Sequence, residues 1–241
     1  MKRLAKKFVR WSLRIKAFSL PWRIFEAVVV YALHSKKKVI ISYADPERGK
    51  VIDLIAKIKQ ETGMLMDDNE AYQIFMAVKR TNKIKGEIAE VGVYKGGSAR
   101  LICEAKGDRT LHLFDTFEGL PKVDKGDSPC FYKGKYAACL NNVKDCLEEY
   151  KNVYFYKGMF PSTSGPIEDK KFSFVHLDVD THQSTLDCLK FFYPRMDQGS
   201  VLISHDYFSA AGVRKAFDEF FDEKREPIIE LPGSQCLIVK L

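Results

Sequence analysis

An apolar run from Ile88 to Val93 breaks into the glycines Gly96 and Gly97 and turns helical at Ser98. A strand, a glycine loop and a helix start in that order commit this part of the chain to an α/β crossover. A glycine loop lets a ligand approach the backbone closely, and the helix N-terminus behind it offers N–H donors and a partial positive charge. The spacing from Gly92 is G-x-x-x-G-G, not the G-x-G-x-x-G of nicotinamide-binding folds, and Glu90 would repel a diphosphate. The loop from Gly92 to Ser98, with Tyr94 and Gly96 inside it, is therefore expected to hold a cationic ligand with a carboxylate end. S-adenosylmethionine is such a ligand, its sulfonium and amino groups drawn to Glu90 and its carboxylate to the N–H donors. The bland alternative is a strand-to-helix turn with a surface acid.

Downstream, apolar or aromatic strand segments at Leu111–Asp115, Val153–Tyr156, Phe174–Leu177 and Val201–Ile203 alternate with helical stripes. One stripe is Tyr136, Leu140, Val143, Leu147 and Tyr150, and another is Val213, Phe217, Phe220 and Phe221. Such alternation implies a parallel sheet covered on both faces. The ending differs, since Ile228–Leu231 and Cys236–Val239 flank the turn Pro232-Gly233-Ser234 and read as an antiparallel pair. The expected fold is α/β: a doubly wound, mostly parallel seven-stranded sheet with a C-terminal antiparallel hairpin, the Rossmann-like layout of class I methyltransferases. Upstream, Asp45-Pro46 reads as a turn, residues 51–60 as a helix, and Asp68 or Asn69 as the cap of a second helix with Tyr72, Phe75 and Val78 inward.

Chemistry is expected at the strand ends. Asp115, 23 positions after Gly92, can accept both hydroxyls of a cofactor ribose, and Lys157-Gly158 after the third strand can open space for adenine. The stretch HLDVDTHQSTLD places Asp178, Asp180 and His182 two apart, with Ser184 and Asp187 read as a capping box. The next strand ends in Ser204-His205-Asp206-Tyr207. Carboxylates brought together at neighbouring strand ends repel unless a cation lies between them, so Asp178 and Asp206 read as hard-metal ligands. The alternative is a set of capping and solvated acids.

EVGVYKGGS, FDTFEGLP at 114–121, the YKGMFPST run, DVDTHQST, and LISHDY followed by GVRKAFDEF together resemble the macrocin O-methyltransferase family over roughly residues 65–241. The resemblance implies an S-adenosylmethionine-dependent enzyme that methylates a sugar hydroxyl with a divalent metal, usually Mg²⁺. It also implies metal ligands at Asp178 and at the pair His205 and Asp206, with Asp180 as base; His182, two residues on, is read from the sequence itself as the reserve base. Two departures stand out. The family has two aspartates where this chain has His205-Asp206, and a tyrosine where this chain has His182. An imidazole ligand moves the preference from Mg²⁺ toward Mn²⁺, Fe²⁺ or Zn²⁺. A catechol or phenol acceptor is the alternative within enzymes, because either kind of vicinal diol chelates a metal. A non-catalytic, membrane-docked protein that keeps the cofactor fold is the alternative outside them.

The formal charge of +7 is unevenly spread. Residues 1–40 hold 11 Lys/Arg against one Glu, and the remainder balances at −3, so a basic arm on a mildly acidic body argues for docking and against nucleic acid. The boundary is expected near residue 50, with the arm at 1–50 and the methyltransferase domain at 51–241. Six cysteines without a C-x-x-C pair, and no cleavable leader pattern, lead to an expectation of reduced thiols in the cytoplasm. Within the arm, Leu4, Phe8, Trp11, Ile15 and Phe18 recur at helical spacing among lysines and arginines. Such a stripe suits either an anionic membrane surface at the inner face or a contact in a homo-oligomer. Deleting residues 1–20 is expected to leave a folded domain that no longer sediments with anionic vesicles. If the full-length chain also fails to sediment, the stripe belongs to a protein contact.

Overall fold

The computed structural model describes Val28, residues 46–121 and residues 130–241. The chain divides into two compact units, residues 1–41 and 42–241. The basic stripe of the arm lies outside the described residues, and the following account concerns the second unit.

Helix α1 (Pro46–Thr62) begins earlier than residue 51 because Pro46 takes the first helical position, where a missing N–H costs nothing, with Glu47 in the first turn. It ends at Gly63, whose φ of +70° and N–H to the Lys59 carbonyl (2.9 Å) close the last turn. Its stripe Ile52, Ile55 and Ile58 is buried. Helix α2 (Asp68–Arg80) is capped by Asp67, not by Asp68 or Asn69. Asp67 is the residue with a glutamate three positions on, and the pair closes reciprocally: Asp67 Oδ1 accepts from Glu70 N at 2.9 Å, and Glu70 Oε2 from Asp67 N at 2.9 Å. Ile74, Phe75 and Val78 are buried, whereas Tyr72 is half-buried with the Arg48 guanidinium 5.9 Å above its ring.

The sheet then builds in alternation: β1 (Glu87–Val91), α3 (Gly97–Ala105), β2 (Leu111–Asp115), α4 (Leu140–Leu147), β3 (Val153–Lys157), β4 (Phe172–Leu177), α5 (His182–Phe192), β5 (Met196–Ser204), α6 (Ala211–Phe221), β6 (Ile229–Glu230) and β7 (Cys236–Val239). Strand order is β3-β2-β1-β4-β5-β7-β6. The first five strands are parallel, β7 pairs antiparallel with β5, and β6 antiparallel with β7, which is the expected doubly wound sheet with its terminal hairpin. Side chains alternate across the sheet. Ala89, Val91, Phe114, Val175 and Leu177 pack with Phe192 of α5 and Phe217 of α6, all but fully buried. Full burial of a side chain such as Phe217 contributes about 1.5–3 kcal/mol. Of the Tyr136–Tyr150 stripe, Val143 and Leu147 are buried in α4, while Tyr136 lies before the helix.

The chain runs outward from β1 to β3 and then crosses back to β4, so the direction of winding switches between β1 and β4, where open α/β sheets leave a crevice at the strand ends. There Asp178 N donates to the Val91 carbonyl at 2.9 Å, and Gly92, at φ +90°, passes so close that a Cβ would lie 1.8 Å from the Asp178 carbonyl oxygen. Gly92→Ala is therefore expected to destabilise the domain by about 3 kcal/mol or more, because backbone must move at both strands. A urea midpoint equal to that of the unaltered chain would contradict this packing.

Candidate functional site

At the end of β1 the loop is held by the end of β2. Asp115 Oδ2 accepts from Val93 N (2.7 Å) and Tyr94 N (2.8 Å), and Oδ1 from Phe117 N (2.7 Å). The strand-end acid expected to meet a ribose thus also fixes the glycine loop: Oδ2 uses both lone pairs on it, and Oδ1 keeps one. Gly158 follows β3 and donates its N–H to the Asp115 carbonyl at 3.0 Å. Gly92, Tyr94, Ser98, Asp115 and Gly158 line one cavity of about 210 Å³, and its wall continues through Asp178, Asp180, His205 and Asp206. The expected cofactor loop and metal cluster therefore share a space.

Four expected site residues lie outside that lining. Gly96 caps α3 in the left-handed region at φ +83°. The Lys157 ammonium lies 3.2 Å from Glu118 and is half exposed. His182 Nε2 lies 2.8 Å from Glu219 Oε2 of α6. Glu90 is the largest departure, because it sits inside β1 rather than at its end. It is fully buried, opposite His176 in the register, with Oε1 at 2.8 Å from His176 Nδ1. Nor do Ser184 and Asp187 form a capping box: Thr181 takes the N-cap position of α5, donates from Oγ1 to Ser184 Oγ at 2.9 Å, and Asp187 instead accepts from Gln183 at 2.8 Å.

The ends of β4 and β5 converge as the spacing implied. His205 Nδ1 lies 3.5 Å from Asp178 Oδ1 and 3.0 Å from Asp206 Oδ2. Among the described residues Asp178, His205 and Asp206 form the group able to hold a metal, with one donor atom from each within 4.8 Å of the others. Nδ1 is buried and aligned with neither carboxylate as a hydrogen-bond donor, despite the short distances. A buried nitrogen aimed between two carboxylates is what a cation needs, and the mixed N/O donor set suits Mn²⁺, Co²⁺ or Zn²⁺ as well as Mg²⁺. The residues present therefore fit a divalent metal.

Without a metal, protons and the imidazole take up the negative charge of the cluster, so a cation would bind with release of protons. Burial disfavours a proton on His205, but Asp178, Asp206 and Glu70 more than offset it and hold the imidazole well above its usual value. Burial also raises Asp178, with His205 opposing and Asp206 reinforcing. Asp206 is lowered: burial acts against its charge, but the His205 contact and hydroxyl donation from Ser209 outweigh it. Asp180, nearly buried, is pushed up to about 9 by burial and then by repulsion from Asp178 and Asp206. Tyr94, Tyr136, Asp180 and Asp206 all line the cavity and all have φ between +50° and +66°, a conformation that costs side-chain-bearing residues about 1–3 kcal/mol each.

Sequence reasoning missed Glu70, Ser234 and Tyr136. Glu70 Oε2 and Ser234 Oγ each lie 3.3 Å from His205 Nε2, and the Tyr136 ring packs edge-on to Tyr94 at 5.8 Å. Glu70 was visible only as a helix-start acid, and nothing local marks its partner 135 residues on.

Among known proteins, the profile of the Macrocin-O-methyltransferase (TylF) family matches residues 66–233. The 8-demethyl-8-(2,3-dimethoxy-alpha-L-rhamnosyl)-tetracenomycin-C 4'-O-methyltransferase of Streptomyces olivaceus is 31% identical over 170 residues, 63% of this chain and 64% of that protein. Mycinamicin III 3''-O-methyltransferase of Micromonospora griseorubida is 29% identical over 157 residues, 58% of this chain and 61% of the relative. The match thus spans less than two thirds of these curated relatives. Among solved structures, the O-methyltransferase NovP has a TM-score of 0.67 at 21% identity, covering 80% of this chain and 99% of NovP. A calicheamicin methyltransferase has a TM-score of 0.62 at 17% identity, covering 81% and 93%. At these identities the two structures speak to the fold.

The placement of Glu90 can be tested apart from any activity. Removing one partner of a buried pair strands the other, so Glu90→Ala is expected to cost about 3–5 kcal/mol, most of which Glu90→Leu combined with His176→Leu restores. Thermal unfolding of Glu90→Ala at the parent temperature would place this carboxylate in solvent instead.

Proposed function

The chain belongs to the macrocin O-methyltransferase family, and from that membership and its site we propose that it is an S-adenosylmethionine-dependent O-methyltransferase acting on a hydroxyl of a sugar or glycosylated small molecule. The observation that carries the reading is the shared cavity, where the Asp115-braced glycine loop meets Asp178, Asp180, His205 and Asp206. Family relatives whose names specify methylation of a rhamnosyl tetracenomycin and of mycinamicin III support a glycoside acceptor. Solved relatives in complex with S-adenosylhomocysteine or S-adenosylmethionine support the cofactor.

In this reading the first turn of α3 receives the cofactor carboxylate, and the remaining lone pair of Asp115 Oδ1 accepts from a ribose hydroxyl. Gly158 leaves room for the adenine. Asp178, His205 and Asp206 would hold the divalent cation. When bound, the cofactor supplies an electrophilic methyl on its sulfonium, and the cation lowers the pKa of the acceptor hydroxyl. Asp180 sits beside Asp178 and Asp206, and burial and their charge hold it toward its neutral form; a cation on those two carboxylates would offset the repulsion and leave the Asp180 carboxylate ionised to take the hydroxyl proton. Burial of Asp180 keeps bulk water from competing for that proton. His182, turned to Glu219, is the reserve base only if its ring swings away from that partner. Glu90, paired with His176 inside the sheet and outside the cavity lining, makes no direct contact with the cofactor in this reading.

The basic stripe in residues 1–20 is proposed to dock the enzyme on an anionic surface at the inner membrane face or to join subunits of a homo-oligomer in the cytoplasm. No helix among the described residues is long and apolar enough to cross a membrane.

Transfer of labelled methyl from S-adenosylmethionine to a panel of deoxysugar glycosides and catechols tests the function. Asp178→Ala is expected to lose metal binding and transfer together, whereas Asp180→Asn keeps metal and cofactor while turnover falls about 10²-fold or more. Full-rate transfer by chelator-treated enzyme would remove the metal from the mechanism. Transfer to catechols alone would replace the sugar with a phenol.

A further inference from the structure

His205 is the one nitrogen donor of the Asp178, His205 and Asp206 cluster, and it does not stand alone. Its ring is clamped on the side away from the cavity. Nε2 lies 3.3 Å from Glu70 Oε2 at the start of α2 and 3.3 Å from Ser234 Oγ in the turn between β6 and β7. Ser234 is itself tied to Glu70, donating to Oε1 from its N at 2.7 Å and from its Oγ at 2.8 Å. The turn comes this close only because residue 233 is glycine: a Cβ there would lie 2.6 Å from Glu70 Oε1. Glu70, 5% exposed, thus joins the cap of α2, the β6–β7 turn and the imidazole.

An ionised carboxylate only accepts, so the ring presents Nε2–H to Glu70, and a cation that displaces any proton on Nδ1 meets the lone pair of the matching neutral tautomer between Asp178 and Asp206. Nδ1 is the buried nitrogen without an aligned partner. A glutamine at position 70 could donate to Nε2 instead and turn the ring to the tautomer whose Nδ1–H excludes a cation.

We propose that Glu70, supported by Ser234, is a positioning residue for a metal centre with one imidazole nitrogen and two carboxylates, and that this centre selects a transition-metal ion over Mg²⁺. The proposal rests on the metal reading of the Asp178, His205 and Asp206 cluster. Hydrogen-bonded carboxylates behind metal-ligating histidines fix ring orientation and raise ligand basicity, and losing one costs about 10–100-fold in metal affinity. Nitrogen donors favour Co²⁺, Mn²⁺ and Zn²⁺ over Mg²⁺.

Co²⁺ and, separately, Mg²⁺ are titrated by calorimetry into the full-length chain after chelator stripping, and the visible absorption of bound Co²⁺ is recorded. The unaltered chain is expected to prefer Co²⁺. Glu70→Gln is expected to weaken Co²⁺ by about 10–100-fold and to shift its absorption toward that of His205→Asp. In the His205→Asp background the preference for Co²⁺ shrinks, and adding Glu70→Gln changes affinity by less than about twofold, since Nε2 is gone. An equal loss in both backgrounds would make Glu70 a capping residue alone and overturn the proposal, as would an unchanged affinity and spectrum in Glu70→Gln, both leaving the metal reading intact. No Co²⁺ or Mg²⁺ binding by the unaltered chain would overturn the metal reading itself and this proposal with it. If Glu70→Gln fails to fold, Ser234→Ala decides: it keeps the helix cap, and Co²⁺ affinity equal to that of the unaltered chain would sink the clamp.

Discussion

The site depends on the contact between β1 and β4 where the sheet changes its direction of winding. Gly92 passes the Asp178 backbone with no room for a side-chain atom, and Asp178 N is bound to the Val91 carbonyl. That approach brings the two chemically distinct parts of the crevice together. On one side Asp115 gathers the N–H groups of Val93 and Tyr94 and shapes the loop. On the other, β4 and β5 deliver Asp178 and Asp206. A wider separation at Gly92 would leave a cofactor crevice and an acidic cluster without a common space.

Within that space the charges are arranged to conflict unless something positive joins them. Asp178, Asp180 and Asp206 stand together around a single imidazole, and Asp180 is forced toward its neutral form. Neighbouring backbone is held at positive φ at Asp180 and Asp206, an unfavourable conformation that fixes where the carboxylates point. Concentrating like charges and strained residues at one end of the central strands costs stability, and the large apolar cluster around Phe114, Phe192 and Phe217 supplies it elsewhere.

Much of this was legible in the chain before any coordinates. The alternation of segments and the final antiparallel pair led to the right strand arrangement, because each is a local pattern of burial and turn chemistry. The convergence of Asp178, His205 and Asp206 was legible because strand ends announce themselves, an apolar run stopping and polar residues following at once, whereas the ligand role of His205 came only with the family resemblance. The identity of the α2 cap was also open to reading, since only Asp67 has a glutamate three residues later. Glu90 was misplaced for a different reason. An acid near a glycine loop looks exposed in one dimension, and its partner His176 sits 86 residues away on a neighbouring strand. Glu70 escaped in the same way, as a helix-start acid whose second partner appears only when the β6–β7 turn closes on it. Long-range polar pairs leave no periodic trace, whereas strands and helices do.

The central claim is that the glycine loop and the carboxylate–imidazole cluster are two walls of one catalytic space. Diffraction from crystals grown with S-adenosylhomocysteine and Mn²⁺, collected for anomalous signal, tests it most directly. The account predicts a manganese peak bounded by Asp178, His205 Nδ1 and Asp206, with the cofactor lying over the Gly92–Ser98 loop and its ribose against Asp115. A peak elsewhere, or a cofactor seated away from that loop, would contradict it.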